Sequence, residues 1–293
     1  SDVYKRQGVL GPNAGPKEID GRRVPTEERI SIELSRVRRL TSAPVGINIF
    51  SDHDEATRAY AMKTIAASKA NNVNIYCLVG TFDDVIYKAI KEAGGIIVHR
   101  ELTPTPASVR MAEEHGADII VATGTDEGGV IPSGCMGTFT IVPAIVDAVK
   151  SVPVMAAGGI NDIRGVRAAF ALGAQGVYVG TRFIASTECP AAQNVKDMIV
   201  AGSGEELIAV TPNERSLPTP AAIGYNRRML AGEPAEAIHK EIMAKGGLGP
   251  AMLHGDVNKG IISVNTGIST IRSIKPVAEI VDELMADFRS SSR

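Results

Sequence analysis

Pro153-Val-Met-Ala-Ala-Gly-Gly-Ile160, followed sixteen residues on by Gly176-Val-Tyr-Val-Gly-Thr-Arg-Phe183, decides how the chain reads. Each segment is a short apolar run that ends in small residues. Near-continuous hydrophobicity, as in Val154-Met155-Ala156, is what a strand buried on both faces requires. Working backwards, similar runs occupy 45–50, 73–80, 95–102 and 117–124, and Gly8-Val9-Leu10-Gly11 serves as a further short strand. Between them lie helical patterns. Residues 56–71 carry Ala59, Met62, Ile65 and Ala66 at helical spacing, and 162–172 carry Val166, Ala169 and Phe170. The spacing of successive runs, about 22–36 residues, is that of a βα unit. Alternation of this kind builds a parallel sheet. The expected fold is a TIM (β/α)8 barrel that lacks its first strand, so the chain reads as N-terminally incomplete, with Ser1–Gln7 a poor strand sequence. A doubly wound open sheet is the competing architecture, but no Gly-x-Gly-x-x-Gly follows any run.

After the last run the rhythm breaks. Residues 203–265 hold proline and glycine clusters around helix-like pieces at 221–231 and 234–244, and 274–288 returns to an amphipathic helix. We expect a barrel over 8–202, an inserted lid or substrate subdomain over 203–265, and a C-terminal helix within 266–293 that returns to the barrel. An insertion after a barrel strand sits at the C-terminal face, where barrel active sites lie.

Composition narrows the function. The 293 residues are 44% hydrophobic, with 31 basic against 33 acidic side chains, and no basic block argues for nucleic acid or an anionic membrane. The longest apolar stretches, about 6–9 residues, are well short of a membrane span. Three scattered cysteines (Cys77, Cys135, Cys189) imply neither a disulfide framework nor a metal knuckle, and no metal-ligand spacing is present. We expect a cytoplasmic enzyme with a small-molecule substrate, and base rates favour a homodimer.

The glycines carry the chemistry. Gly158-Gly159 and Gly180-Thr181, at consecutive strand ends, uncover backbone N–H groups that together suit a phosphate. Taken singly, each pair also fits a mere tight turn.

Ala156-Ala157-Gly158-Gly159-Ile160, Ala171-Leu172-Gly173-Ala174 and Gly180-Thr181-Arg182-Phe183 resemble the nitronate monooxygenase family of FMN-dependent barrels. This family was formerly called the 2-nitropropane dioxygenases and includes the flavin-dependent enoyl-ACP reductase II. The similarity extends through Gly8-Val9-Leu10-Gly11, Gly46-Ile47-Asn48-Ile49, Gly116-Ala117-Asp118, Glu188-Cys189-Pro190 and Gly255-Asp256-Val257. It implies FMN, with its phosphate at Gly158, Gly159, Gly180 and Thr181. Asn48 corresponds to the family asparagine near the flavin, Arg100 stands where many relatives have lysine beside the ring, and Gly124 joins the cofactor set. A strand-end asparagine and a solvated arginine are the plain alternatives. The departure from the family is Gly124-Thr125-Asp126-Glu127-Gly128-Gly129-Val130, where Val130 occupies the position of an acid/base histidine. Valine transfers no proton. Asp126 and Glu127 remain as candidate catalytic carboxylates, or as exposed loop residues. Cys135 is a candidate substrate contact or a bystander thiol, His99 reads as packed away from the site, and His239 and His254 lie in the insertion.

The resemblance implies oxidation of alkyl nitronates with O2. The alternatives are reduction of an enoyl-ACP, another activated alkene or a quinone, with NAD(P)H as candidate co-substrate. A non-redox phosphate-binding barrel enzyme is a further alternative, although the strand ends offer no lysine for it, and a catalytically reduced family member is the last.

Overall fold

The computed structural model describes residues 8–11, 14–15 and 17–288, so expectations for Ser1–Gln7 fall outside the described residues. In chain order the strands are β1 (Gly8–Leu10), the hairpin of β2 (Glu18–Ile19) and β3 (Arg22–Arg23), β4 (Val45–Ser51), β5 (Ile75–Gly80), β6 (Ile96–Arg100), β7 (Ile119–Thr123), β8 (Val154–Ala157), β9 (Gly176–Tyr178) and a second hairpin, β10 (Ile208–Thr211) with β11 (Glu214–Ser216). Seven of them hydrogen-bond in the order β1-β4-β5-β6-β7-β8-β9. That order follows the chain and never reverses. A doubly wound sheet must reverse at its switch point, so the topology is that of a (β/α) barrel.

The chain divides into two compact units. The first runs through residue 121 and takes in 147–153, while the second comprises 122–146 and 154–293. In the first unit β4 and β5 pair parallel from Gly46↔Ile75 to Ser51↔Gly80, and β5 and β6 from Ile75↔Ile96 to Val79↔Arg100. Ile47, Ile49, Tyr76, Leu78 and Ile97 are buried, as strands covered on both faces demand. Asp54, Asp83 and Thr105 cap the helices Glu55–Ala70, Asp84–Glu92 and Pro106–Glu114, each accepting from backbone N–H groups of the first turn. Such caps contribute about 1 kcal/mol apiece.

One helix face differs from its sequence reading. Ala59, Met62 and Ala66 are exposed, and only Ile65 of the expected stripe is buried, together with Ala61, Thr64, Ala67 and Ser68. The helix turns its small residues inward because the helix Thr26–Leu40 packs against it, and Asn71 Nδ2 donates to Ser31 Oγ there at 3.0 Å. Small side chains allow that close approach.

In the second unit β8 pairs parallel with β9 from Met155↔Gly176 to Ala157↔Tyr178. The run read as a strand through Phe183 stops at Tyr178, and Thr181–Ile184 forms a short helix. The expected C-terminal helix forms over Val277–Leu284, with a 3-10 turn at Ala286–Phe288. Residues 203–265 contribute to two cores. Val210, Ala222, Tyr225, Ile238, Ile242 and Ile261 form one. Leu217, Ala251, Ile262 and Val264 join Ala185, Val195, Ile199, Ile268 and Ile271 in the other. Among the described residues no helix is long and apolar enough to cross a membrane.

Candidate active site

In the second unit, the turn after β8 is set by two glycines in left-handed conformations, Gly158 at φ 111° and Gly159 at φ 69°. A Cβ on Gly158 would lie 2.6 Å from Thr138 Oγ1, 3.0 Å from the Gly124 carbonyl oxygen and 3.2 Å from the Glu127 nitrogen. Gly158 is therefore required by the close approach of three segments as much as by its dihedral. Gly124 plays a similar part, since a Cβ there would meet the Thr138 nitrogen at 2.3 Å. Gly180 differs: no atom lies within 4 Å of its Cβ position.

A buried amide pair ties these turns together. Asn161 Nδ2 donates to Asn265 Oδ1 at 3.0 Å, and Asn265 Nδ2 donates back to Asn161 Oδ1 at 2.8 Å. The Asn265 backbone N–H donates to Thr181 Oγ1 at 3.1 Å, which leaves the hydroxyl proton of Thr181 to donate elsewhere. Gly267 lies against Gly159, where a Cβ would stand 2.7 Å from the Gly159 carbonyl oxygen. The backbone N–H groups of Gly159, Gly180 and Thr181 make no hydrogen bond among the described residues. A cleft of about 370 Å³ lined by Gly159, Asn161, Asp162, Arg164, Gly165 and Thr270 adjoins the turn. Uncommitted amides and a hydroxyl donor are groups of the chemistry that a phosphate monoester accepts.

The loop after β7 is fastened on several sides. Asp126 Oδ2 accepts from the Thr138 N–H at 2.6 Å, at the start of the helix Thr138–Val146, and Asp126 Oδ1 accepts from Thr266 Oγ1 at 3.2 Å. Its carboxylate is thus engaged in holding two segments. Glu127, expected as an exposed-loop residue or a catalytic carboxylate, is 5% exposed. The guanidinium of Arg215, from β11, donates to the Thr125 carbonyl oxygen, and Ser263 Oγ accepts from the Gly129 N–H at 2.8 Å. Burial lowers the pKa of Arg215, opposed by the Asp126 and Glu127 carboxylates. Val130 pairs antiparallel with Glu214 and is 42% exposed.

In the first unit, the register sets Asn48 level with Cys77 and Val98, and Arg100 two residues further along β6. Opposed residues of paired strands share a face, so Asn48, Cys77, Val98 and Arg100 lie on one side. His99 lies on the other, where its Nδ1 meets the Tyr87 hydroxyl of the helix Asp84–Glu92 at 2.8 Å. It is packed in the helix layer, and burial holds its pKa down at about 4. Asn48 Oδ1 is buried and has no hydrogen-bond partner among the described residues, which is uncommon for a buried amide oxygen. Burial pushes the Cys77 thiol up to about 11, opposed by Arg100. Cys135 is exposed, with φ 54°.

Thr138, Asn161, Asn265 and Arg215 were not singled out from the sequence. Asn265 lies more than a hundred residues from Asn161, and only folding pairs them.

A parallel barrel topology with a phosphate-fitting donor cluster at its strand ends defines a class of enzyme scaffold, and comparison with known proteins narrows it. The nitronate monooxygenase family profile matches residues 21–287, and the chain belongs to that family. It is 30% identical over 245 residues to a probable nitronate monooxygenase of Staphylococcus aureus strain MRSA252, covering 69% of this chain and 66% of that protein, so it spans just under two-thirds of the curated relative. The solved structure of FabK from Thermotoga maritima matches with a TM-score of 0.79 at 28% identity, over 90% of this chain and 82% of that one. Nitroalkane oxidase from Streptomyces ansochromogenes shares the fold, with a TM-score of 0.74 at 21% identity over 97% of this chain and 88% of that one.

Proposed function

We propose that the chain is an FMN-dependent oxidoreductase that oxidises alkyl nitronates with O2. The observation that carries the reading is the donor cluster of the second unit, beside the family membership. The amides of Gly159, Gly180 and Thr181 and the Thr181 hydroxyl would hold the FMN phosphate, while Gly158 lets the turn close against Thr138. The family resemblance adds Asn48 and Arg100 to the cofactor set, and an arginine's positive charge favours an anionic reduced flavin. When bound, FMN would supply the two-electron redox chemistry of the reaction. Asp126 keeps a structural duty in this reading, and with Val130 in the place of the family histidine the buried Glu127 is the remaining candidate of the β7 loop for proton transfer.

The resemblance to the flavin-dependent enoyl-ACP reductase II supports a second reading, reduction of an activated alkene or quinone with NAD(P)H as the electron source. The experiment that tests both begins with FMN added to purified protein. Stoichiometric uptake, seen as protein-bound flavin absorbance, is expected, and a protein that rejects FMN would defeat both readings. Anaerobic mixing then separates them. Bleaching by ethyl nitronate alone supports nitronate oxidation, whereas rapid bleaching by NADH or NADPH supports a reductase.

A further inference from the structure

We propose that a cationic cleft of the first unit binds a pyrophosphate group, free or carried by a nucleotide, at a site separate from the cofactor's. The cleft has a volume of about 560 Å³ and is lined by Lys17, Arg23, Arg29 and Lys63, together with Tyr60 and one carboxylate, that of Glu27. Its size is that of a small-molecule site. None of the residues assigned to FMN lines it.

The charge is local. The chain as a whole has a net charge of −2, whereas four cations and a single carboxylate line this space. The side chains of Lys17, Arg23 and Lys63 make no hydrogen bond or ion pair among the described residues. Unanswered like charges around one concavity focus a positive field and draw in an anion. Four cations against one carboxylate exceed what a phosphate monoester, at about −1.5 to −2, balances, and a second phosphoryl group supplies the rest. Arginine meets phosphate oxygens with paired N–H donors and lysine meets them as a point charge.

Three elements fix the walls. In the β2–β3 hairpin the Val24 N–H donates to the Lys17 carbonyl oxygen at 2.9 Å. Arg22 is tied to the helix Thr26–Leu40, its guanidinium donating to the two Glu28 carboxylate oxygens at 3.0 and 2.6 Å. Adjacent strand residues point to opposite faces, and Arg23 accordingly lines the cleft while Arg22 does not. Arg29, one turn into the helix, is 6% exposed. Gly15, at φ 84°, lies against it, since a Cβ there would stand 2.3 Å from the Arg29 carbonyl oxygen and 2.6 Å from its Cγ. Tyr60 and Lys63, three residues apart, share one side of the helix Glu55–Ala70, which packs on Thr26–Leu40.

Calorimetric titration of the full chain with sodium pyrophosphate and with ADP, at about 0.15 M salt and without divalent cations, tests the proposal. Saturable binding of both is expected. Tighter binding of ADP identifies a nucleotide as the ligand, and equal affinities identify the phosphates alone. Arg23→Ala and Lys63→Ala remove exposed cations and should each weaken binding about tenfold. Glu27→Gln removes the one like charge and should tighten it about threefold. Lys69→Ala, on the same helix as Lys63 but outside the cleft, should change it by less than about twofold. Absence of saturable binding, sulfate binding as tightly as pyrophosphate, or equal losses from Lys69→Ala and Lys63→Ala would overturn the proposal. So would competition between FMN and pyrophosphate. Protein that binds pyrophosphate but takes up no FMN keeps this site while the functional reading above falls.

Discussion

Gly158→Ala and Gly180→Ala place the same methyl group in two turns that look alike in sequence, and the structure assigns them opposite consequences. At Gly158 an alanine must adopt φ 111°, a region that costs an ordinary residue about 1–3 kcal/mol. Its Cβ would also sit 2.6 Å from Thr138 Oγ1 and within 3.2 Å of two backbone atoms, the Gly124 oxygen and the Glu127 nitrogen. Thr138 Oγ1 is not free to swing aside, since it donates to the Gly158 carbonyl oxygen at 3.0 Å. Relief requires moving the β7 loop, an overpacking cost of about 1–3 kcal/mol. Gly158→Ala should therefore destabilise the FMN-free protein by about 2–6 kcal/mol, read from the midpoint of urea unfolding. At Gly180, φ is −120° and no atom lies within 4 Å of the new Cβ. Stability there should change by less than about 0.5 kcal/mol. The methyl instead enters the space assigned to the phosphate, and loss of one charge-assisted hydrogen bond weakens FMN binding by about 10–100-fold. Fluorescence titration of FMN measures that shift. Unchanged urea stability in Gly158→Ala would refute the close-approach argument, and unchanged FMN affinity in Gly180→Ala would refute the phosphate assignment.

Asn161→Ala and Asn265→Ala should each cost about 1–3 kcal/mol, because either change strands a buried amide. The double variant should cost less than the two losses together, and additive losses in urea unfolding would contradict a reciprocal pair. Stability should also fall with pH through His99. Its folded pKa, about 4, lies below the unfolded value near 6.5, so the unfolded chain binds the extra proton. Stability is full above about pH 6.5 and declines towards pH 4 by roughly 3 kcal/mol; His99→Gln should flatten that portion of the curve of unfolding free energy against pH. Asp126→Ala should cost about 1–2 kcal/mol by removing the acceptor of the Thr138 N–H. Asp126→Asn should retain most of that, and thermal unfolding of the two variants side by side checks it.

The second unit shows where sequence pattern stops. The apolar runs ending in Gly158-Gly159 and Gly180-Thr181 are written in residue types, and so is the phosphate reading, because small residues leave backbone N–H groups uncovered. Yet the sequence gives no way to tell Gly158, wedged against Thr138, from Gly180, open to its surroundings. The helix Glu55–Ala70 shows the same limit. Periodicity marks a helix there, but which arc faces inward depends on its neighbour, and small residues won over Met62.

Sequence alone determined the parallel α/β class, the order of its strands, the family and the glycine turns, since strand burial, βα spacing and permitted dihedrals are local properties of residue type. The tertiary structure alone decided that Asp126 serves Thr138 and Thr266, that Asn161 pairs with Asn265, and that His239 and Glu214 meet beside Val130. Those pairings join residues 12 to 140 positions apart, and no periodicity encodes a contact that exists only once distant segments have packed.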